Sequence, residues 1–281
     1  MATLVVITHE FDAFLAWKRG AASVTSPYLL FDVLKHLKLM GHEVLISRGL
    51  KVASGDAAFY HVDATVAPQE YLDLARQFER TINFGTGDIS KRRVSRLLLA
   101  KGEHWDGPVM VKSNYNNRAA IEDIHNRLAA RAGRPPPHPG ITKSGQYHVL
   151  ESITEVGDEI WSDPSLVVER FVAEPDEEGY ALRTWVFMGA RERCTRFVTA
   201  DRISKAAGVI KYKPVEVPAG LRAERERLGF DFGKFDFVMH EGEPFLLDAN
   251  RTPGIAAAIR PMMKKGALNL AEGLQALVTG E

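Results

Sequence analysis

Residues 229–254 read GFDFGKFDFVMHEGEPFLLDANRTPG. Two apolar runs, Phe235–Met239 and Pro244–Leu247, flank the turn-like His240-Glu241-Gly242-Glu243, which predicts two neighbouring strands. Asp236 rides on the first run, and Asp248 and Asn250 follow the second. A carboxylate on one strand, beside a carboxylate and an amide at the end of the next, makes a hard-oxygen site. Such a site suits Mg²⁺, which takes one or two carboxylates and fills its other positions with water and phosphate oxygens. Polar residues at a turn or facing solvent account for Asn250, which precedes Arg-Thr-Pro-Gly, but poorly for Asp236, set between Phe235 and Phe237. The stretch therefore points to a protein that handles a nucleotide triphosphate.

Upstream, the chain opens as strand–helix–strand. Leu4–Thr8 and Glu43–Ser47 are strand-like, and Pro27–Met40 has helical periodicity with Gly41 as its stop. A loop runs from His9 to Ser26 between them. This order predicts parallel pairing. Ala58–Val62 reads as a third strand, Pro68–Arg80 as a helix and Thr81–Phe84 as a short strand. Residues 1–85 form a small α/β domain on this reading. An amphipathic helix is expected over Asp88–Ala100, a strand over Pro108–Ser113 and a helix over Arg118–Arg131. Next come a stiff Pro-rich loop at Arg134–Gly140 and a strand-rich segment: Tyr147–Leu150, Ser165–Val172, Tyr180–Met188, Cys194–Ala200 and Val209–Tyr212. Helices are expected over Pro218–Leu228 and Leu268–Val278.

Lys plus Arg equals Asp plus Glu at 36 each, so there is no basic excess to advertise a nucleic-acid partner. The single cysteine, Cys194, excludes an internal disulfide and a Cys-based zinc site. The N-terminus reads as a first strand rather than a signal peptide, and no apolar run approaches bilayer length. A cytoplasmic location is expected. The nine histidines show no ligand spacing and read as ordinary polar residues. P-loop, Rossmann, zinc-protease and hydrolase motifs are all missing.

Four further positions stand out. Lys112 ends the apolar run Val109–Lys112, where its ammonium either meets an anion such as phosphate or emerges into solvent. Lys91 lies at the start of a predicted helix, either at an anion site or on the surface. Leu166–Glu174 is an apolar strand with two acids, Glu169 and Glu174. It offers backbone groups to a base and a carboxylate to ribose, or is an ordinary strand with a salt bridge. Arg183, among large apolar residues, either clamps phosphate or an oxyanion, or bridges a neighbouring carboxylate.

Taken in order, these elements resemble the ATP-grasp superfamily over nearly the whole chain. Asp88–Leu99 looks like the helix whose early lysine, here Lys91, meets the nucleotide phosphates. Gly107–Lys112 is similar to the segment carrying the second phosphate lysine. Val167–Glu174 resembles the hinge strand that holds adenine through backbone groups, here at Phe171 and Val172, and ribose through an acid. Arg183 falls where the family often has an arginine. Phe235-Asp236-Phe237 and Leu247–Gly254 resemble its two metal strands. The resemblance implies α/β and α+β architecture: the small N-terminal parallel domain over 1–85, then a two-lobed ATP-grasp fold, with first lobe and lid over 86–172 and C-terminal lobe over 173–281. Two departures are visible. Ser113-Asn114-Tyr115-Asn116-Asn117 lacks the glycines of the usual lid, and Asp248 stands where many members have glutamate.

The resemblance implies ATP- and Mg²⁺-dependent ligation of a small-molecule carboxylate to an amine or thiol through an acylphosphate. Lys91, Lys112 and the metal on Asp236, Asp248 and Asn250 would neutralise the transferring phosphoryl group. Arg183 and Arg251 would hold the acylphosphate and tetrahedral intermediate. The acceptor site is expected between domains, near His9–Asp12 and Ser26-Pro27-Tyr28. An ATP-grasp kinase and a non-catalytic nucleotide-binding regulator are the alternative readings. Oligomeric state is left open.

Overall fold

The computed structural model describes residues 1–14, 26–203, 208–255, 260 and 264–280. Most of the loop expected after the first strand, residues 15–25, lies outside them. Three sheets organise the chain. The first holds β1 (Thr3–Thr8), with helix α1 (Leu29–Leu39) leading to β2 (Glu43–Arg48), then β3 (Ala57–Tyr60), helix α2 (Gln69–Ala75) and β4 (Arg80–Ile82). It is parallel throughout, in the order β2-β1-β3-β4. The apolar run of β1 is buried on both faces, as parallel strands require. Tyr28 and the apolar face of α1 pack on one face, and Tyr71 and Ala75 of α2 share a separate cluster with Ile7 and Tyr60.

The helix expected over Asp88–Ala100 is mostly absent. Helix α3 (Lys91–Val94) has four residues and stops at Ser95, whose backbone is extended. Beyond it the chain runs beside β7 (Leu166–Arg170) as an added edge. Arg170 donates its N–H to the Leu97 carbonyl, and Leu99 donates to that of Val168. The apolar residues at 97–99 had matched a helical period, but Leu97 and Leu99 lie on an extended segment and are buried in two separate clusters. The sheet itself is antiparallel, β6-β5-β7, with β5 (Val109–Ser113) at its centre and β6 (His148–Leu150) beyond. Helix α4 (Ala120–Arg131) and the short α5 (Asp158–Ser162) lie between these strands in sequence.

The third sheet is antiparallel. Its path is β11 (Val209–Pro214), β10 (Arg191–Thr199), β9 (Gly179–Met188), β12 (Phe232–His240), β13 (Glu243–Asn250), and β8 (Glu174–Asp176) pairs with β9. Helix α6 (Ala219–Leu228) packs Leu221 and Leu228 with Trp185, Phe187, Phe235 and Phe237 on one face. The opposite face opens to a cavity. β12 and β13 are joined by Glu241 and Gly242, both with positive φ (51° and 84°), the geometry of a two-residue hairpin turn. Helix α7 (Lys264–Thr279) closes the chain against α1, sharing its core through Leu270, Leu274 and Val278.

Two devices bind the last sheet to the first segment. Gly85 and Gly229 meet backbone to backbone, and a Cβ on Gly85 would lie 2.9 Å from the Gly229 Cα. Asn83 donates its N–H to Asp231, and its side-chain oxygen accepts from the N–H groups of Asp231 and Phe232.

Candidate functional site

One cavity of about 630 Å³ lies among the three sheets. Alternation along β12 decides what reaches it. Phe235 and Phe237 point into the core, so Lys234, Asp236 and Val238 line the cavity. On β13 the alternation is broken. Asp236 pairs with Asp248 but Phe237 pairs with Leu246, which leaves Leu247 as an extra residue in a β-bulge. Leu246 and Ala249 both belong to the core. Without the extra residue between them, Asp248 would share the core face of Leu246. With it, Asp248 and Asn250 line the cavity beside Asp236.

Three lysines enter the same space, each on a carboxylate. Lys91 pairs with Asp248, Lys234 with Asp236 at 2.7 Å, and Lys112 with Glu169 at 2.7 Å. Thr184 donates its hydroxyl to Asp236 at 2.8 Å. Lys91 and Lys112 are 2% and 5% exposed, which resolves the choice between buried site and open surface for both. Burial alone would push the Lys91 ammonium down, but the Asp248 carboxylate more than offsets it, and the net shift is upward. Burial likewise pushes Asp248 up, and Lys91, Lys234 and Lys112 together hold it below the usual carboxylate range. Lys234 was missed in the sequence, although it sits two residues before Asp236 and must share its face.

The donors Asp236, Asp248 and Asn250 are all oxygen, share one cavity, and the two carboxylates already face ammonium cations. That set fits Mg²⁺.

All six residues from Glu169 to Glu174 line the cavity, Phe171 and Val172 among them. Glu169 is 2% exposed, and its Oε1 has no hydrogen-bond partner among the described residues. Glu174 differs. Its carboxylate accepts both forks of Arg183, the Nε of Arg196 and the N–H of Met239. Burial would raise its pKa, but these donors hold it below the ordinary value. Its oxygens are thus committed to protein groups.

The two arginines expected at the reacting centre are corrected. Arg183 alternates with Leu182 and Thr184, so it lies on the opposite face of β9 from Leu182, which lines the cavity. It bridges Glu174, the alternative reading of its sequence context. Arg251 is fully buried outside the cavity lining. It donates from Nε to the Val62 carbonyl at 2.8 Å and from its two other nitrogens to the carbonyls of Thr86 and Ala64. Both guanidiniums hold protein structure rather than facing a ligand.

The glycine-poor segment expected to form a lid runs into a left-handed stretch. Asn117, Arg118 and Ala119 have φ of 45°, 59° and 62°, and α4 starts directly after them. Asn116 and Asn117 line the cavity.

The remaining wall comes from the first segment and α4. Ala13, Pro27 and Tyr28 line it, whereas Ser26 and His9–Asp12 are not among the lining residues. Asp63 accepts from the Tyr28 hydroxyl at 2.6 Å and the Thr252 hydroxyl at 2.7 Å. Burial and the Asp12 charge push Asp63 up to about 6. Behind them the fold gathers three histidines that sequence spacing had not connected. His125 bridges Asp12 at 3.1 Å and His138 at 3.3 Å, and His9 stacks on His125 with centroids 4.1 Å apart. The two stacked rings are 6° from parallel, and Nδ1 of His9 accepts the Phe11 N–H. Parallel imidazole planes do not converge on one ion, so the cluster is a packed, hydrogen-bonded group rather than a chelate. Burial lowers His9 to about 2 and lowers His138, so both are neutral.

No protein-family model matches the chain, and no curated protein sequence does. Solved structures do match. D-alanine–D-alanine ligase from Bacillus anthracis superposes with a TM-score of 0.52 at 12% identity, over 99% of this chain and 97% of that one. The same enzyme complexed with ATP gives 0.51 at 12% identity, over 99% and 98%. The ATP-grasp ligase PsnB complexed with minimal precursor, Mg and ADP gives 0.51 at 13% identity, over 98% and 97%. At such identities the likeness is one of fold alone: the chain shares the overall fold of these ligases.

Proposed function

We propose that this protein is an ATP- and Mg²⁺-dependent ligase that joins a carboxylate to an amine or thiol through an acylphosphate. The observation that carries this reading is the convergence of Lys91, Lys112 and Lys234 with Asp236, Asp248 and Asn250 in one cavity, beside the strand Glu169–Glu174. The shared fold with solved ligases complexed with ATP, or with Mg and ADP, supports it.

The chemistry has two stages. A carboxylate oxygen of the substrate bonds to the γ-phosphorus as the bond from that phosphorus to the bridging oxygen breaks and ADP leaves. The nucleophile then bonds to the acyl carbon as the C–O bond breaks, and phosphate leaves. Phosphoryl transfer asks for positioning and charge neutralisation more than for a protein nucleophile. Lys91, Lys112 and Lys234 supply three cations directed at one space. Asp236, Asp248 and Asn250 would hold Mg²⁺, which contributes charge stabilisation at the phosphates. Residues 169–174 wall the nucleotide's base and sugar. Arg183 and Arg251 act as positioning residues.

An ADP-release screen of carboxylic acids crossed with amines and thiols tests the proposal. Free phosphate with a new amide or thioester is the expected product pattern. A phosphorylated end product would mark a kinase instead, and no MgATP binding at millimolar nucleotide would overturn both.

A further inference from the structure

The stretch after Lys112, Ser113-Asn114-Tyr115-Asn116-Asn117, lacks the glycines of a lid, and its backbone is committed to the protein at successive residues. Asn114 donates its N–H to the Ser165 carbonyl at 2.8 Å, Tyr115 to the Ser113 hydroxyl at 3.1 Å and Asn116 to the Thr65 hydroxyl at 2.8 Å. The Asn114 carbonyl accepts the Lys91 N–H at 2.9 Å, and its side-chain oxygen accepts that of Arg92 at 3.0 Å. Helix α4, which follows, is held in the same way. Glu122 and His125 are each 1% exposed; Glu122 accepts the Thr65 N–H at 2.6 Å, and His125 bridges Asp12.

Thr65 joins these contacts. It is 1% exposed and lines the cavity. Its hydroxyl takes Asn116, its N–H reaches α4, and its carbonyl accepts the Ile89 N–H at 3.0 Å, two residues before Lys91. One residue of the first segment thus fixes both the stretch after Lys112 and the approach to Lys91. A cover that opens and closes has few buried contacts and backbone groups free to change partners. This stretch has the opposite character.

We propose that residues 114–122 are a fixed wall of the cavity rather than a moving lid, and that Thr65 is the positioning residue that sets the wall in place; that its ligand is a nucleotide rests on the ligase reading above. A segment that does not move has no need of glycine hinges. With the N–H groups of Asn114, Tyr115 and Asn116 committed to protein acceptors, the donors left for a phosphate are the side-chain amides of Asn116 and Asn117, which line the cavity.

Amide hydrogen exchange on the full chain, read by mass spectrometry, tests this, first alone and then with Mg²⁺ and a non-hydrolysable ATP analogue. In the wild type, peptides covering 114–122 should be protected without nucleotide and unchanged by it. Thr65→Val keeps the shape and the N–H but removes the hydroxyl acceptor. It should speed exchange over 114–122 roughly ten-fold, the effect of leaving one buried donor unpaired, with β1 and α1 exchanging as in the wild type. Nucleotide should then slow exchange there, because in the variant the ligand supplies the missing order. Thr65→Ser, which retains the hydroxyl, should restore the wild-type pattern. Faster exchange in β1 and α1 as well would mark a general loss of stability and overturn the positioning role. Wild-type peptides over 114–122 that are unprotected without nucleotide, or that nucleotide slows, overturn the wall, whether or not the variants fold. If the analogue fails to bind at millimolar concentration, the ligase reading falls, and exchange in the nucleotide-free wild type and Thr65→Val still decides the wall.

Discussion

Lys112 donates its ammonium at 3.1 Å to the carbonyl of Leu247, the extra residue at which β13 loses register with β12. A bulge leaves a backbone group outside the ladder, and here a buried cavity lysine takes it. The same irregularity turns Asp248 out of the core and onto Lys91. One inserted residue thus orients two of the three lysines and one of the two metal-type carboxylates.

Asp248→Asn tests this centre. It removes a carboxylate from the Mg²⁺ donor set and leaves Lys91 buried without its counter-charge. Affinity for ATP in the presence of Mg²⁺ should fall about ten- to a hundredfold, the range for disturbing the shell around a metal. Affinity for ATP without Mg²⁺ should change much less. Isothermal titration with and without the metal separates the two. An unchanged Mg²⁺ dependence would remove Asp248 from the donor set.

Much of this fold was legible because it rests on local pattern. Leu4–Thr8, Phe235–Met239 and the turn at Glu241-Gly242 read directly, since alternation and turn chemistry are written in adjacent residues. The helix expected over Asp88–Ala100 failed because Leu97, Leu98 and Leu99 satisfy a helical period equally well as an edge beside β7. The bulge at Leu247 depends on which strand β13 pairs with, so no single-strand pattern announces it. Arg251 was misread for a similar reason: its three carbonyl acceptors come from residues 62, 64 and 86, far from it in sequence. His9, His125 and His138 are brought together by tertiary packing alone.

Arg251 is expected to act on stability first. Arg251→Met would leave the buried carbonyls of Ala64 and Thr86 without donors among the described residues, while that of Val62 keeps the Ala64 N–H, and Arg251→Lys cannot span them with one ammonium. Arg251→Met should cost about 2 kcal/mol or more, from roughly 1 kcal/mol or more for each unsatisfied acceptor, and Arg251→Lys somewhat less. Urea unfolding measures this. A variant of wild-type midpoint with lost turnover would instead return Arg251 to the reacting centre.

The left-handed segment before α4 gives an opposite expectation. Arg118 holds a φ of 59°, a conformation that costs an L-residue with a Cβ about 1 kcal/mol or more and glycine almost nothing. Arg118→Gly should therefore stabilise the protein by about 1 kcal/mol, less a few tenths for the more flexible unfolded chain. Arg118→Ala should not stabilise it. Equal effects of the two substitutions would show that the segment is not left-handed in solution.

Asp63 links stability to pH in the less usual direction. Burial and the neighbouring Asp12 charge raise it from 3.8 to about 6. Between those values the folded state holds a proton that the unfolded state releases, so Asp63's contribution to stability declines as pH rises from 3.8 to 6 and is level above. Asp63→Asn removes the ionisation while retaining a polar partner for Tyr28 and Thr252. At pH near 8 it should raise stability by about 1 kcal/mol, the relieved charge burial being partly offset by weaker hydrogen bonds. At pH near 4 the gain should vanish, because the wild-type carboxyl is then protonated in the folded state. Thermal unfolding at both pH values checks this. A gain of the same size at both would mean that the carboxyl is not held above its ordinary range.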